Sequence, residues 1–177
     1  MNDLIIACIR TGTLLPFDCV KVLRNALARH LPRKYTMVCL TDKPERCNDV
    51  AFVDISAMNL PRGWAKMALF EPQWRAGAKV IHIDFGTAVI GDISPLADVP
   101  GEFSIGDDFD TSVMVIGGGM GNFVWHGFER RRDILLMDHR RAGVSACLKE
   151  LYPSAPFVQQ LLPPDFFRTR LRLMRPH

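Results

Sequence analysis

The stretch that decides the fold is AKVIHIDFGTAVIGDISPL, residues 78–96. Its first apolar run, Val80–Ile83, ends at Asp84, and a second apolar run, Ala88–Ile90, follows after Gly86. An apolar run that stops at a carboxylate is typical of a buried parallel strand that delivers an acid to the carboxyl edge of a sheet. Asp84 is therefore the first candidate site residue. The alternative is that Asp84 only ends the strand and caps a turn without binding a ligand.

The composition predicts one folded domain over residues 1–177. Hydrophobic residues make up 48% of the chain and charged residues 23%, which is typical of a globular protein and not of a disordered one. A chain of this length buries roughly two-thirds of its extended surface. No apolar run approaches the ~20 residues that a membrane-spanning helix needs.

The cysteines and the N-terminal segment predict a cytoplasmic protein. The five cysteines are scattered and form no C-x-x-C pair, so we expect neither a disulfide framework nor a zinc site. The first residues, MNDLIIACIRTG, carry an acid at Asp3 and no basic lead-in. They are typical of a first strand rather than of a signal peptide.

Basic residues concentrate in the last third of the chain, although the net charge is only +3. These arginines are Arg130–Arg132, Arg140–Arg141, Arg168, Arg170, Arg172 and Arg175. Arginine suits the phosphates of a nucleotide, a lipid carrier or RNA. No aromatic ladder or RNA-binding signature accompanies them, so we expect solvated helix faces and no nucleic-acid partner.

The first third of the chain predicts a strand, a helix and two further strands. Leu4–Ile9, Tyr35–Leu40 and Ala51–Ile55 are short apolar runs bounded by polar turns, as in buried strands. Apolar residues at spacings of three and four after Pro16 predict an amphipathic helix that stops near Pro32. This order is that of a βαβ unit. We therefore predict an α/β fold with a mostly parallel central sheet flanked by helices.

The remaining elements are less regular. A short helix is predicted up to Phe70, and the tail from Pro163 to His177 is compatible with a strand or a helix. Further strands are predicted at Glu102–Ile105 and Ser112–Ile116, and helices at Asn122–Arg131 and Arg140–Leu151. The glycine run Gly117–Gly121 predicts a flexible turn. A phosphate cradle is the alternative there, although the run lacks the G-K-[ST] ending of a P-loop.

Five segments, in chain order, resemble one known family. They are LTDKPE (40–45), GWAKMALFEP (63–72), VIHIDFGTAVIGDISPLADVPGEFSIGDDF (80–109), TSVMVI (111–116) and MDHRR (137–141). Together they are similar to bacterial glycosyltransferase-like proteins with a Rossmann-like GT-A fold, the nucleotide-diphospho-sugar transferase fold, related to glycosyltransferase family eight. Members of that group typically read G-W-W-x-K-L-x-L-F-x-P, then D-x-D-T-V-I-x-G, then S-S-V-M and G-D-Q. The resemblance covers most of the chain and is strongest between Gly63 and Ile116.

The resemblance implies a site for a nucleoside-diphosphate sugar, with a UDP-sugar as donor and a saccharide or other hydroxyl as acceptor. It places the substrate- and nucleotide-binding positions at Trp64, Lys66, Asp84, Gly86 and Ser112. Asp84, as the first acid of D-x-D, would also bind Mn²⁺ or Mg²⁺. Asp138 matches the acid of G-D-Q and would approach the sugar or acceptor as the catalytic residue. Such a site must neutralise the leaving diphosphate, which a divalent cation or basic side chains can do.

The chain departs from this pattern at three places. Gly86 stands where the second aspartate of D-x-D is expected, and Met137 and His139 flank Asp138 in place of glycine and glutamine. The sequence ends at His177 without the H-G-x-P-K-P-like segment that supplies a further metal ligand in related enzymes. Two hypotheses follow. The first is an enzyme that transfers a hexose, and the second is a binding protein of the same fold without turnover.

Several candidate residues also have a purely structural interpretation. Trp64 is a core residue or a stacking platform, and Lys66 is a solvated charge or a ligand-binding group. Asp92, in GDISP, is expected to form a turn. The acidic cluster of Asp107, Asp108 and Asp110 invites a cation, but a polar loop after a strand is favoured.

Overall fold

The computed structural model describes residues 4–61 and 63–173. The strands are β1 (Leu4–Arg10), β2 (Thr36–Thr41), β3 (Val50–Asp54), β4 (Lys79–Ile83), β5 (Thr87–Val89), β6 (Phe103–Ile105), β7 (Val113–Ile116) and β8 (Leu171–Leu173). The α-helices are α1 (Asp18–His30), α2 (Ser94–Asp98), α3 (Gly118–Arg130), α4 (Arg132–Asp138), α5 (Gly143–Leu151), α6 (Val158–Leu161) and α7 (Phe166–Thr169). Short 3-10 helices lie at Ser56–Met58, Ala65–Phe70 and Asp107–Phe109.

The central sheet has six strands in the order β3-β2-β1-β4-β7-β6. Strands β1, β2, β3 and β4 run parallel to one another, and β7 is antiparallel to both β4 and β6. A smaller antiparallel sheet pairs β5 with β8. The prediction of an α/β fold with a mostly parallel sheet is confirmed. Because of these directions, the carboxyl ends of β1–β4 and the start of β7 meet at one edge.

Each face of the central sheet carries its own apolar core. Alternate side chains of β1 divide between the two, with Ile5, Ala7 and Ile9 on one face and Ile6 and Cys8 on the other. The 3-10 helix Ala65–Phe70, α3 and α5 cover the first face. Helix α1 and the small sheet contribute to the second. A strand that is buried on both faces needs apolar side chains on both, and β1 has them.

Helix α1 follows the predicted pattern. Its buried residues are Val20, Leu23, Ala26 and Leu27, which form one face at spacings of three, three and one. The helix ends at His30, and its cap residue Leu31 donates its N–H to the carbonyl oxygen of Leu27 at 2.9 Å. Pro32 follows and cannot extend it.

The second half of the chain contains helices that were not predicted, namely α2, α4 and α6. Helix α4 was missed, because it is short and follows the arginine run that also ends α3. Helix α5 begins at Gly143, three residues later than predicted, and Gly143 has a φ of 68°. The tail contains both a helix, α7, and a strand, β8, whereas the sequence left the choice open. Residues 174–177, including His177, lie outside the described residues.

The glycine run is the first turn of α3, so the prediction of a flexible turn is wrong. The carboxylate of Glu102 accepts the N–H of Gly119 at 3.0 Å, which satisfies one of the free donors at the helix start. Arg75, only 1% exposed, donates to the carbonyl oxygens of Gly117 at 3.2 Å and Gly118 at 3.3 Å. The close packing of Arg75 and Glu102 against this turn explains the presence of glycines there. These contacts do not support the alternative of a phosphate cradle.

Gly121 is required by this packing, because a Cβ there would lie 1.9 Å from Nη2 of Arg75. We expect Gly121→Ala to lower the free energy of unfolding by about 2 kcal/mol, as overpacking typically does. Gly119→Ala is the matched control in the same helix, since its Cβ would lie 3.4 Å from Oε2 of Glu102. Urea unfolding of both variants measures the difference, and equal stability of the two would contradict this account.

Ala76 has a φ of 47° and is exposed, so it holds a left-handed conformation that costs a non-glycine residue energy. We expect Ala76→Gly to raise the free energy of unfolding by about 0.5–1 kcal/mol, the left-handed penalty less the added entropy of the unfolded chain. Ala28→Gly, the same change at an exposed position within α1, should lower it by about 1 kcal/mol. Thermal melts of the two variants should therefore shift in opposite directions.

Candidate functional site

Polar residues follow the strands where their carboxyl ends meet. Thr11 follows β1, Asp42 follows β2, and Asp84 follows β4. Ser112 lies at the same edge, because it comes just before the antiparallel β7. Open α/β sheets bind ligands in the crevice outside the carboxyl ends of their strands. This edge is therefore the candidate site.

Lys66 and Asp84 form an ion pair at this edge. The Lys66 Nζ lies 2.6 Å from Oδ2 of Asp84, 2.9 Å from Oγ1 of Thr111 and 3.3 Å from the carbonyl oxygen of Thr111. The side chains of Lys66 and Asp84 are 20% and 32% exposed. The ammonium has three N–H groups and three acceptors, so its position is well determined. The alternative of a solvated Lys66 is not supported.

The backbone of Asp84 joins this cluster to β7 and to the following turn. Its N–H donates to the carbonyl oxygen of Ser112 at 2.9 Å, and its own carbonyl oxygen accepts the N–H of Thr87 at 2.9 Å. Gly86 lies exposed within that turn. The structure thus brings Lys66, Asp84, Gly86 and Ser112 together, and Gly86 adds no side-chain ligand to them.

The acidic segment at residues 107–110 forms the loop that leads into Ser112. Oδ1 of Asp110 accepts both the N–H of Ser112 at 2.9 Å and its hydroxyl at 2.7 Å. Asp108 and Phe109 have φ values of 53° and 59°, which turn the chain sharply. The favoured interpretation, a polar loop, agrees with these contacts. Asp92 likewise forms a turn, since its Oδ1 accepts the N–H of Ser94 at 2.8 Å.

A cavity of about 800 Å³ opens along the same edge. Its walls come from the loop after β1, the end of β2 and the segment between β3 and the 3-10 helix: Ile9, Thr11, Gly12, Thr13, Leu14, Leu15, Asp42, Ile55, Ser56, Asn59, Leu60, Pro61 and Ala65. Small-molecule sites are typically concavities of about 300–1,000 Å³ with apolar walls and a few polar groups. Ala65 of the wall precedes Lys66 in sequence, but neither Lys66 nor Asp84 lines the cavity.

Asp42 shapes this cavity by holding the loop after β1. Both of its carboxylate oxygens lie 3.0 Å from the backbone nitrogen of Gly12, which has a φ of 66°. Leu14, in the same loop, is 69% exposed. No role was predicted for these residues from the sequence. Their signal was positional: polar residues directly after two parallel strands.

Trp64 lies in the core rather than in the cleft. Its side chain is 3% exposed, and its ring stacks on Phe128 with centroids 6.0 Å apart. The core interpretation of Trp64 therefore fits the structure. Asp138 is exposed at the last position of α4, and the hydrogen bonds and ion pairs described do not connect it to Lys66 or Asp84. A catalytic role for Asp138 stays a prediction.

His82 lies on β4 two residues before Asp84 and is fully buried. Its Nδ1 lies 3.1 Å from the carbonyl oxygen of Ala7, which can only accept, so Nδ1 carries the proton. Its Nε2 has no partner among the described groups. Burial, with a smaller contribution from the Lys66 ammonium, lowers the pKa of His82 to about 4. The ring is therefore neutral at pH 7.

The donor groups at Asp84 do not fit a divalent cation. Ca²⁺ takes about six to eight oxygen ligands, and Mg²⁺ uses one or two carboxylates together with substrate phosphates. The cluster offers one carboxylate, and its Oδ2 already holds the Lys66 ammonium. Within residues 4–61 and 63–173, no group of three or more His, Cys, Asp or Glu side chains is arranged to hold a metal ion.

No protein-family model and no curated protein sequence matches the chain. Solved structures do. The glycosyltransferase GlyE of Streptococcus pneumoniae TIGR4 matches with a TM-score of 0.68 and 14% identity, over 90% of this chain and 46% of GlyE. The galactosyltransferase LgtC, in complex with donor and acceptor sugar analogues, matches with a TM-score of 0.60 and 12% identity, over 86% of this chain and 72% of LgtC. The bifunctional glycosyltransferase WbbM matches with a TM-score of 0.60 and 15% identity, over 89% of this chain and 39% of WbbM.

The chain has the fold of GT-A-type glycosyltransferases. This confirms the fold that the resemblance implied. Identities of this size show the fold and not the activity, and the chain spans less than half the length of GlyE. The D-x-D assignment and the relation to family eight stay predictions.

All five cysteines are free thiols. Among the described residues, no helix has the length and apolar character needed to cross a membrane.

The buried His82 makes stability depend on pH. Between its usual pKa of 6.5 and its folded pKa of about 4, the unfolded chain binds a proton that the folded chain does not, so stability falls as pH falls. We expect a loss of about 2 kcal/mol between pH 7 and pH 5 from this group. Urea unfolding at both pH values measures it. The His82→Gln variant should be less stable than the natural chain at pH 7, but its free energy of unfolding should change less between pH 7 and pH 5. An equal change in the variant and the natural chain would contradict this account.

Proposed function

We propose that the chain is a glycosyltransferase that transfers a hexose from a nucleoside-diphosphate sugar, a UDP-sugar foremost, to a saccharide or other hydroxyl acceptor. The observation that carries this proposal is that a cavity of about 800 Å³ and the Lys66–Asp84 ion pair lie at the same carboxyl edge of a glycosyltransferase-type sheet. We propose the cytoplasm as its compartment, in keeping with five free cysteines.

The site residues suggest a division of roles. The cavity has apolar walls from Ile9, Ile55 and Leu60 and polar groups such as Asn59, which suits a nucleoside. The ion pair at the same edge of the sheet would meet the ribose and the diphosphate, because it presents a cation and a carboxylate side by side. Ser112 is placed against the same pair through its backbone carbonyl. Asp138 is proposed to approach the sugar or the acceptor.

A second candidate is a nucleotide-sugar or carbohydrate-binding protein of the same fold that has lost turnover. Gly86 favours it, since the cluster has one carboxylate where the related enzymes have two. The two candidates share the ligand and differ only in chemistry. A binding measurement therefore tests both, and a turnover measurement separates them.

The test of ligand binding is calorimetric titration of the full chain with UDP, UDP-glucose and UDP-galactose, with and without Mn²⁺. We expect binding in at least one condition and a weakening of about tenfold in Asp84→Asn, the loss typical of one charge-assisted hydrogen bond. Asp92→Asn is the matched control, because Asp92 is exposed in a turn and Asn can accept the same N–H of Ser94.

Turnover is then measured by release of UDP from the sugar nucleotide, with and without a saccharide acceptor. Transfer that disappears in Asp138→Asn, with binding retained, supports the enzyme. Binding without UDP release supports the binding protein. If none of the three ligands binds with or without Mn²⁺, both candidates are wrong.

A further inference from the structure

We propose that the Lys66 ammonium takes the place of a divalent cation beside Asp84, so that the site binds a nucleoside diphosphate without metal. The inference rests on the proposed function and deepens it, since it names how the charge of the ligand is met. The GT-A resemblance implies Mn²⁺ or Mg²⁺ at Asp84, and the structure disagrees with that implication.

The first observation is that the Lys66 ammonium already balances the negative charge of the Asp84 carboxylate. Its Oδ2 lies 2.6 Å from the Lys66 Nζ, and this contact is two-thirds or more shielded from solvent on both sides. Mg²⁺ commonly uses one or two carboxylates together with phosphate oxygens. To use this carboxylate, a cation would have to displace the ammonium or sit next to it. Both arrangements are unfavourable, because water screens the repulsion between the cation and the ammonium only weakly in a half-buried cluster.

The second observation is the way in which Lys66 is held. Thr111 supplies two of its three acceptors, the side-chain Oγ1 at 2.9 Å and the backbone oxygen at 3.3 Å. Thr111 is in turn fixed by the loop that Asp110 closes on Ser112. The ammonium is thus part of the frame of the site and not a mobile surface charge. Fixed charges stabilise an anion without the cost of reorganising.

The third observation concerns what the cluster still offers to a ligand. The hydrogen bond of Lys66 to the Thr111 carbonyl oxygen, at 3.3 Å, is the longest and therefore the weakest of the three. That N–H is the one that a phosphate oxygen can take over. The described hydrogen bond to the Asp84 side chain uses Oδ2, so Oδ1 can accept a hydroxyl. A cationic donor beside an anionic acceptor suits a sugar that carries a phosphate next to a hydroxyl.

The decisive measurement is titration of the full chain with UDP, and with GDP, ADP and CDP as further probes, in EDTA and then in Mn²⁺. We expect dissociation constants in the two conditions to agree within about twofold for whichever probe binds, since no metal takes part. Lys66→Met should weaken that binding by about tenfold or more, and Lys66→Arg should retain most of it, because the charge is kept. Lys34→Met is the matched control at an exposed lysine.

A gain-of-function variant sharpens the test. In Lys66→Ala/Gly86→Asp the ammonium is gone and two carboxylates stand at D-x-D spacing. We expect this variant to bind the probe only when Mn²⁺ is present. Calorimetric titration with Mn²⁺ alone should likewise show binding to the double variant and none to the natural chain.

The outcomes separate this inference from the proposed function. Binding by the natural chain that disappears in EDTA and returns with Mn²⁺ overturns the inference and leaves the proposed function intact. Metal-independent binding that Lys66→Met does not weaken overturns the role of Lys66. Absence of binding by every probe in both conditions overturns the proposed function, and with it the inference. The comparison of EDTA with Mn²⁺ uses the unaltered chain, so it stands even if Lys66→Met does not fold.

Discussion

Parallel pairing of β1 with both β2 and β4 is the constraint on which the site depends. Residues Ile5–Ala7 of β1 pair with Thr36–Val38 on one side and with Val80–His82 on the other. Since all three strands point the same way, the residues that follow them emerge at one edge. Asp42 and Asp84 are distant in sequence and reach this edge only because of that shared direction. The cavity exists because the loop after β1 is then tied across the edge by Asp42.

The antiparallel β7 adds what the parallel strands cannot supply. It enters the sheet beside β4 from the opposite direction, so its first residues, and not its last, lie at the site. This places the acceptors of Thr111 next to Asp84 and leaves room for Lys66 between them. Lys66 belongs to the 3-10 helix Ala65–Phe70, and the buried residues of this helix fix the helix to the core. The cluster thus connects the 3-10 helix and β4, which are consecutive in the chain, to the segment before β7, which is distant from both in sequence.

Much of this could be predicted from local pattern, and the rest could not. The strand that ends at Asp84 and the helix after Pro16 were predictable, because their apolar residues follow the period of the element. The prediction for the glycine run Gly117–Gly121 was wrong. Glycines are typical of a flexible turn, and only the tertiary packing of Arg75 shows why a helix starts there. Thr111 and Asp42 were missed because their roles depend on strand direction. The sequence identifies the residues at the strand ends, but the pairing of the strands determines which of these residues lie close together.

The loss of one carboxylate and the presence of Lys66 are consistent with each other when the charges are added. With the lysine of the G-W-W-x-K motif counted in both, two carboxylates and a divalent cation sum to −2 + 2 + 1 = +1, and Asp84 with Lys66 sums to −1 + 1 = 0 without a metal. An aspartate in place of Gly86 would leave the metal-free cluster at −1, which would repel a diphosphate. Gly86 therefore does more than remove a ligand from the cluster. It is the substitution that lets an ammonium alone balance the site.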